Sequence, residues 1–333
     1  MKASQRIGKV LYGALFVVLL PAALAAWTRA LEPVVRAPAV HEPRVGALLI
    51  VLGVLCVLGG WHALWVHGKG LPMNAFPPPE FVSRGVFALV PHPIYLGFCV
   101  GLFGLAMVLP SAALFWVVAP VMALASLALL WGYELLSLDE RFGPDRPRPW
   151  LSLPAGEGAP TWTQRLSVYG TLLVPWGFLY ESVTRPGHPA GAASTRLGFE
   201  SAMPLFTLSY PFYASVYLAG ALVPWVARET RTLRDFVARG WVACAVVFPL
   251  FWFLPLVVVP REVPPTAPFA AMIEAERALD SARGALPSFH VIFAMLSGAA
   301  LEARFVFARW LVRLWVLGVA ASCLGVGMHS LLD

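Results

Sequence analysis

Long apolar stretches alternate with short polar ones along almost the whole chain, and most of the apolar stretches are about as long as a bilayer is thick. A helix crossing the hydrocarbon core needs about 20 mostly apolar residues. Windows of that kind run over 10–27, 45–66, 95–110, 112–133, 166–183, 205–226, 236–259, 289–301 and 311–327, two of them short. The first is approached by Lys2, Arg6 and Lys9 and holds Ala23-Leu24-Ala25, a stretch similar to a signal-peptidase site. We read it as a retained anchor, and with either outcome the residues after it lie outside. The pattern predicts an all-α polytopic integral membrane protein with about nine transmembrane helices. A polar stretch at 139–164, rich in Pro, Gly and Arg, separates four windows from five. It predicts two helical-bundle domains, 1–150 and 166–333, joined by a cytoplasmic linker at 151–165.

Composition excludes a soluble enzyme: 59% of the 333 residues are hydrophobic, 13% are charged, and mean hydropathy is +0.73. Cys56, Cys99, Cys244 and Cys323 each sit inside an apolar run, which makes them small buried hydrophobes rather than a disulfide scaffold. The net charge of +6 raises the question of nucleic acid, and placing the basic residues answers it. With the N-terminus in the cytoplasm, 16 of the 24 Lys and Arg fall in cytoplasmic segments, among them Lys69, Arg84, Arg141, Arg228 and Arg304. That asymmetry is the positive-inside signal of a multi-pass protein, expected in a bacterial-type inner membrane. No nucleic-acid or protein partner is predicted, and membrane lipids are the expected substrates.

Two constellations carry chemistry. The first is Gly68-Lys69-Gly70-Leu71-Pro72, then Pro77-Pro78-Pro79, then Pro91-His92-Pro93-Ile94-Tyr95-Leu96-Gly97, with Glu134 and Phe142-Gly143 beyond a helical hairpin. Pro93 fits the first turn of a helix, so N–H groups near His92 would point unpaired toward the cytoplasmic face and favour an anion. His92 and Tyr95, three residues apart, can share a face. Glu134 is an acidic residue near the membrane and needs a partner there. The same residues also fit an interfacial helix cap, an aromatic belt and a carboxylate reaching for water. This segment, roughly 45–143, resembles the isoprenylcysteine carboxyl methyltransferase and phospholipid methyltransferase group. The resemblance implies S-adenosylmethionine as cofactor, held by His92, Pro93, Tyr95 and Glu134. The family has Arg where this chain has Pro91, and a second Glu where it has Leu135.

The second constellation is Leu286-Pro287-Ser288-Phe289-His290 and, about 39 residues on, Gly327-Met328-His329-Ser330-Leu331-Leu332-Asp333, both on the predicted outer face. A pair of imidazoles suits phosphoryl transfer, one attacking phosphorus and one protonating the leaving oxygen. On a helix, His329 and Asp333 would share a face, and the carboxylate would fix the tautomer of the imidazole. Ser288 is placed to cap the helix after Pro287. These motifs resemble two of the three motifs of the type-2 phosphatidic acid phosphatase superfamily, and the inositol phosphorylceramide synthase-like branch in particular. The resemblance implies His329 as nucleophile, His290 as general acid and Asp333 as its orienting partner, with no metal. Arg261 and Arg283, with Ser288, are the candidate phosphate contacts. Cys323 occupies the position of a family Arg, and the helix that carries the family Asp would follow, so this domain is expected to lack its last helix.

The sequence therefore predicts a membrane-embedded, lipid-modifying transferase. A methyltransferase-like unit would face the cytosol, and a lipid phosphatase or phosphotransferase-like unit would face outward. Methyl transfer alone with an inactive second unit, and a non-catalytic lipid-binding scaffold, are the alternatives.

Overall fold

A computed structural model describes residues 3–184, 191–254, 256–279 and 285–333. The chain is 69% helical and divides into two compact units, Met1–Trp150 and Leu151–Asp333. Each of the nine apolar windows lies largely in helix. Five helices among the described residues are long and apolar enough to cross a membrane: Ile7–Leu31, Pro43–His67, Leu114–Phe142, Thr230–Phe253 and Val306–Gly325. The chain is thus an all-α polytopic protein, and among the described residues five of the nine expected spans are long and apolar enough to cross by themselves.

The first unit begins with α1 (Ala3–Ala14) and α2 (Leu20–Leu31), joined by a π turn at Leu15–Leu19. It continues with α3 (Pro43–His67), the short α4 (Val86–Leu89), α5 (Pro93–Val108), α6 (Ala119–Leu129) and α7 (Leu135–Phe142). Lipid is as apolar as a leucine side chain, so helices in a membrane are held by close packing of small residues rather than by hydrophobic burial. Here α3 presents Gly46, Gly53 and Gly60 at seven-residue intervals, and α5 presents Gly97 and Gly104 at the same interval. A Cβ on Gly53 would lie 2.5 Å from the carbonyl oxygen of Gly97, and one on Gly104 would lie 2.6 Å from that of Gly46. The two backbones touch along this seam. The large apolar residues of α3, such as Leu48, Leu52, Leu55 and Leu58, are exposed as a lipid-facing surface requires. Glu32 receives the Ser111 hydroxyl (2.6 Å) and the Ala112 N–H (3.1 Å), so an anion sits at the start of the helical stretch leading into α6.

The second unit opens on α8 (Trp162–Val168), whose start is a capping box of Thr161 and Gln164. A π turn at Tyr169–Leu173 joins α8 to α9 (Val174–Thr184), and α10 (Tyr210–Val226), α11 (Thr230–Phe253), α12 (Ala270–Leu279), α13 (Phe289–Arg304) and α14 (Arg309–Gly325) follow. Of the apolar window of α11, 44% is buried, against 17% for α3, which makes α11 a central helix of its bundle. Its residues Leu233, Val237 and Phe251 pack with Leu172, Val216 and Val319, and Trp176 stacks on Phe293 at 4.7 Å. The apolar window at 236–259 does not stay helical to its end. Leu254 is extended (φ −109°, ψ 94°), as a residue before proline tends to be, and Leu256–Val257 then pairs in parallel with Ala193–Ser194.

Candidate functional site

In the first unit the chain bends sharply between Pro91 and Pro93, and His92 takes left-handed dihedrals (φ 49°, ψ 53°) as the residue preceding α5. Its imidazole does not cap the helix. It turns to Glu134 instead, with Nδ1 3.1 Å from Oε1, while the Tyr95 hydroxyl donates to Oε2 at 2.6 Å. Glu134 closes a π turn, Leu130–Glu134, and turns of this kind recur at functional sites because the extra residue re-aims a side chain. The three sequence-predicted side chains thus meet, and Pro93 at the first helical position sets the direction of α5.

Two further residues complete this cluster. Asn74 donates through Nδ2 to the Tyr95 hydroxyl (2.8 Å), and its own N–H donates to the Tyr12 hydroxyl (3.2 Å). Asn74 lies between Pro72 and Pro77, inside the quoted motif, as its single side-chain amide, and that was the available signal. Tyr12 lies in the first apolar stretch, which gave none. The glycines of the motif allow close approach: a Cβ on Gly70 would be 2.8 Å from the Pro78 Cα. Lys69 pairs with Glu80, and Arg141 donates to the Pro78 carbonyl, so both cations hold the loop rather than Glu134.

These residues fit S-adenosylmethionine. Among the described residues Glu134 meets no lysine or arginine; it bonds His92 and Tyr95, which leaves it available to an ammonium group or ribose hydroxyls. With His92 turned away, no side chain caps the first turn of α5, and its N–H groups suit a carboxylate.

In the second unit His329 and Asp333 meet, with Nδ1 3.2 Å from Oδ2, but not on a helix. The last helix ends at Gly325, Gly327 takes φ +74°, and the residues after it form turns. Asp333 also accepts the Ser330 N–H (2.8 Å) and the Ser330 hydroxyl (2.8 Å), so a turn replaces the expected helical face. Ser288 occupies the residue before α13 without capping it by its side chain. Its hydroxyl lies 3.3 Å from His329 Nε2, and its N–H donates to the Asp333 carbonyl (3.0 Å). The His290 and His329 rings are 5.7 Å apart, and both residues are buried.

Residues outside the two motifs surround His290. Tyr213 stacks on it at 4.1 Å, and the Tyr217 hydroxyl lies 2.8 Å from Nε2 and donates to Glu276 Oε1 at 2.5 Å. Arg261 reaches the turn that carries His329, donating to the Leu324 carbonyl at 3.0 Å, and Arg196 and Arg277 reach the same turn. Arg283 lies outside the described residues. Burial pushes the Asp333 carboxyl up, but hydrogen bonds from His329, Thr195 and Ser330 outweigh it and hold the group below the ordinary carboxylate range. A carboxyl lowered on folding stabilises the fold above its ordinary value of 3.8, and this contribution fades as pH falls through the folded value. The stability gap between wild type and Asp333→Asn, read by thermal unfolding, is therefore expected to be flat from about pH 7 to about pH 5 and to close at lower pH.

The model of the phospholipid methyltransferase family matches residues 42–144, a segment that holds Asn74, His92, Pro93, Tyr95 and Glu134. The match supports a membrane methyltransferase-like segment, and lipids are the substrates that the matched family implies. With the five long apolar helices, this match makes the chain a multi-pass membrane protein. No curated protein and no solved structure matches the chain.

Proposed function

We propose that the chain modifies membrane lipids by methyl transfer in its first unit and by phosphoryl transfer in its second. The methyl-transfer reading is supported above all by the family match over the segment in which His92, Tyr95 and Asn74 gather around Glu134. Bound there, S-adenosylmethionine would supply an electrophilic methyl group. Glu134 would hold its cationic or hydroxyl end, the first turn of α5 would hold its carboxylate, and Asn74 would keep the Tyr95 hydroxyl directed at Glu134. The positive-inside count supports a cytosolic orientation of this site, on the side where S-adenosylmethionine would be supplied. Incubation of purified protein with radiolabelled S-adenosylmethionine and membrane lipids should label lipid. Glu134→Gln keeps the shape and loses the charge, and label is expected to fall by about 100-fold, with weaker cofactor binding. Equal label with His92→Ala and Glu134→Gln would reject the site.

A specific observation favours the second activity: four residues from motifs about 39 residues apart, Ser288, His290, His329 and Asp333, gather in one buried cluster. Asp333 would accept a hydrogen bond from the Nδ1–H of His329, which leaves the lone pair on Nε2. That lone pair attacks phosphorus, an N–P bond forms as the P–O bond to the leaving group breaks, and His290 gives the leaving oxygen its proton. A second hydroxyl or water then attacks phosphorus, the P–N bond breaks, and His290 takes the proton back. Head-group release or transfer from phosphodiester lipids that is unaffected by His290→Ala would rule this scheme out.

A further inference from the structure

We infer that Arg196, Arg261 and Arg277 form an oxyanion subsite for a phosphate group beside the turn that carries His329. Its assignment as the subsite for the substrate's phosphate rests on the phosphoryl-transfer reading, whereas the site itself does not. The three guanidinium groups come from separate segments, Arg196 just after the first short strand, Arg261 in the loop after the second, and Arg277 in α12. They converge on one turn: Arg261 donates to the Leu324 carbonyl (3.0 Å), Arg277 to that of Val326 (3.3 Å) and Arg196 to that of Gly327 (3.4 Å).

Those bonds leave donors over. Among the described residues the Nε of Arg261 and the Nε of Arg277 are both buried and have no partner, and the Arg277 side chain is only 10% exposed. Buried donors on charged groups are rarely left unmet, since each forfeits its hydration without a replacement. Nor do neighbouring carboxylates take them up. Glu274 pairs with Nη1 of Arg277, and the carboxylate of Glu200 accepts the N–H groups of Leu197 (2.5 Å) and Leu331 (2.7 Å), while Arg261 meets only its main-chain oxygen. Burial, and then the nearby charge of Arg196 and Arg277, depress the pKa of Arg261 despite Glu200, as expected where like charges are crowded.

Gly327 sets no side chain against the Arg261 guanidinium. A Cβ there would lie 3.3 Å from the Arg261 Nε and 2.7 Å from a Leu205 methyl carbon. Several N–H donors of fixed geometry converging on one turn suit a tetrahedral oxyanion, and arginine forks match phosphate oxygens better than lysine does. The fit is to phosphate chemistry, whether carried by a lipid head group or free in solution.

Full-length protein, wild type and His329→Ala, is to be titrated with inorganic phosphate in one arm. In the other it is placed in nanodiscs containing phosphatidic acid, with phosphatidylcholine discs as the baseline. Saturable binding is expected in at least one arm in both proteins, weakened about ten- to hundredfold by Arg261→Gln or Arg277→Gln. Arginine-dependent binding of free phosphate identifies a free-ion site, and arginine-dependent binding confined to phosphatidic acid discs identifies a head-group site. Arg277→Lys keeps the positive charge and loses the Nε donor, so it covers the case in which the glutamine variants fail to fold, and it too should bind more weakly. No saturable binding to wild type in either arm, or binding indifferent to Arg277→Lys, overturns the subsite. Arginine-dependent binding without any turnover would remove the phosphoryl-transfer reading and leave the subsite standing.

Discussion

Replacing His329 by alanine is expected to abolish head-group release from phosphodiester lipids, a loss on the order of 10⁴-fold or more, as when an enzyme loses its nucleophile. The geometry also predicts an ordered series below it. Asp333→Asn leaves a side chain that can still bond the imidazole but no longer fixes which nitrogen carries the proton, so its loss is expected on the order of 10²- to 10⁴-fold. Ser288→Ala removes only the hydroxyl 3.3 Å from Nε2, and its effect should be the smallest of the three. Because these groups act as a unit, the double variant His329→Ala/Asp333→Asn should be no slower than His329→Ala alone. Rapid-quench trapping of a phosphorylated histidine in wild type, absent from His329→Ala, is the measurement. Additive losses across the double variant would show that the Asp333 contact is not part of the chemistry.

The legibility of the chain differed by level. Each hydrophobic window lies largely in helix, because an unbroken apolar run that must satisfy its own backbone can do little else in lipid. The number of full spans was less legible, since length and hydropathy do not say how far a helix is sheltered by its neighbours. His92, Tyr95 and Glu134 were readable as one group because proline fixes one helix start and the hairpin returns the other. The contact between His329 and Asp333 was readable as well, although its reason was not: a four-residue spacing suggests a helical face, but the helix ends at Gly325 and Gly327 turns the chain instead. Tyr12, Tyr217, Glu276, Arg196 and Arg277 carried no local signal. Their hydrogen bonds join positions 49 to 131 residues apart, and only the packing of helices and loops brings them together.

The helix seam of the first unit gives the largest expected effect on stability. In an isolated helix, glycine is worse than alanine by about 1 kcal/mol, so Gly53→Ala or Gly97→Ala would be expected to help if propensity decided. Packing reverses the sign. The new Cβ at either position would stand 2.5 Å from the facing carbonyl oxygen, a backbone atom that cannot swing aside as a side chain can. Overpacking where side chains adjust costs about 1–3 kcal/mol. Here relief requires α3 and α5 to separate along their length, and with α5 goes the register of His92 and Tyr95 against Glu134. Gly53→Leu should therefore lower the unfolding temperature sharply and remove both S-adenosylmethionine binding and lipid methylation, and Gly53→Ala should do so in part. Gly101→Ala is the internal comparison, since a Cβ there meets nothing within 4 Å, and it should be neutral or slightly stabilising. Thermal unfolding in detergent micelles, read beside cofactor binding, separates these outcomes. If Gly53→Leu unfolded at the wild-type temperature with full cofactor binding, backbone contact between α3 and α5 could not be what holds the first unit together.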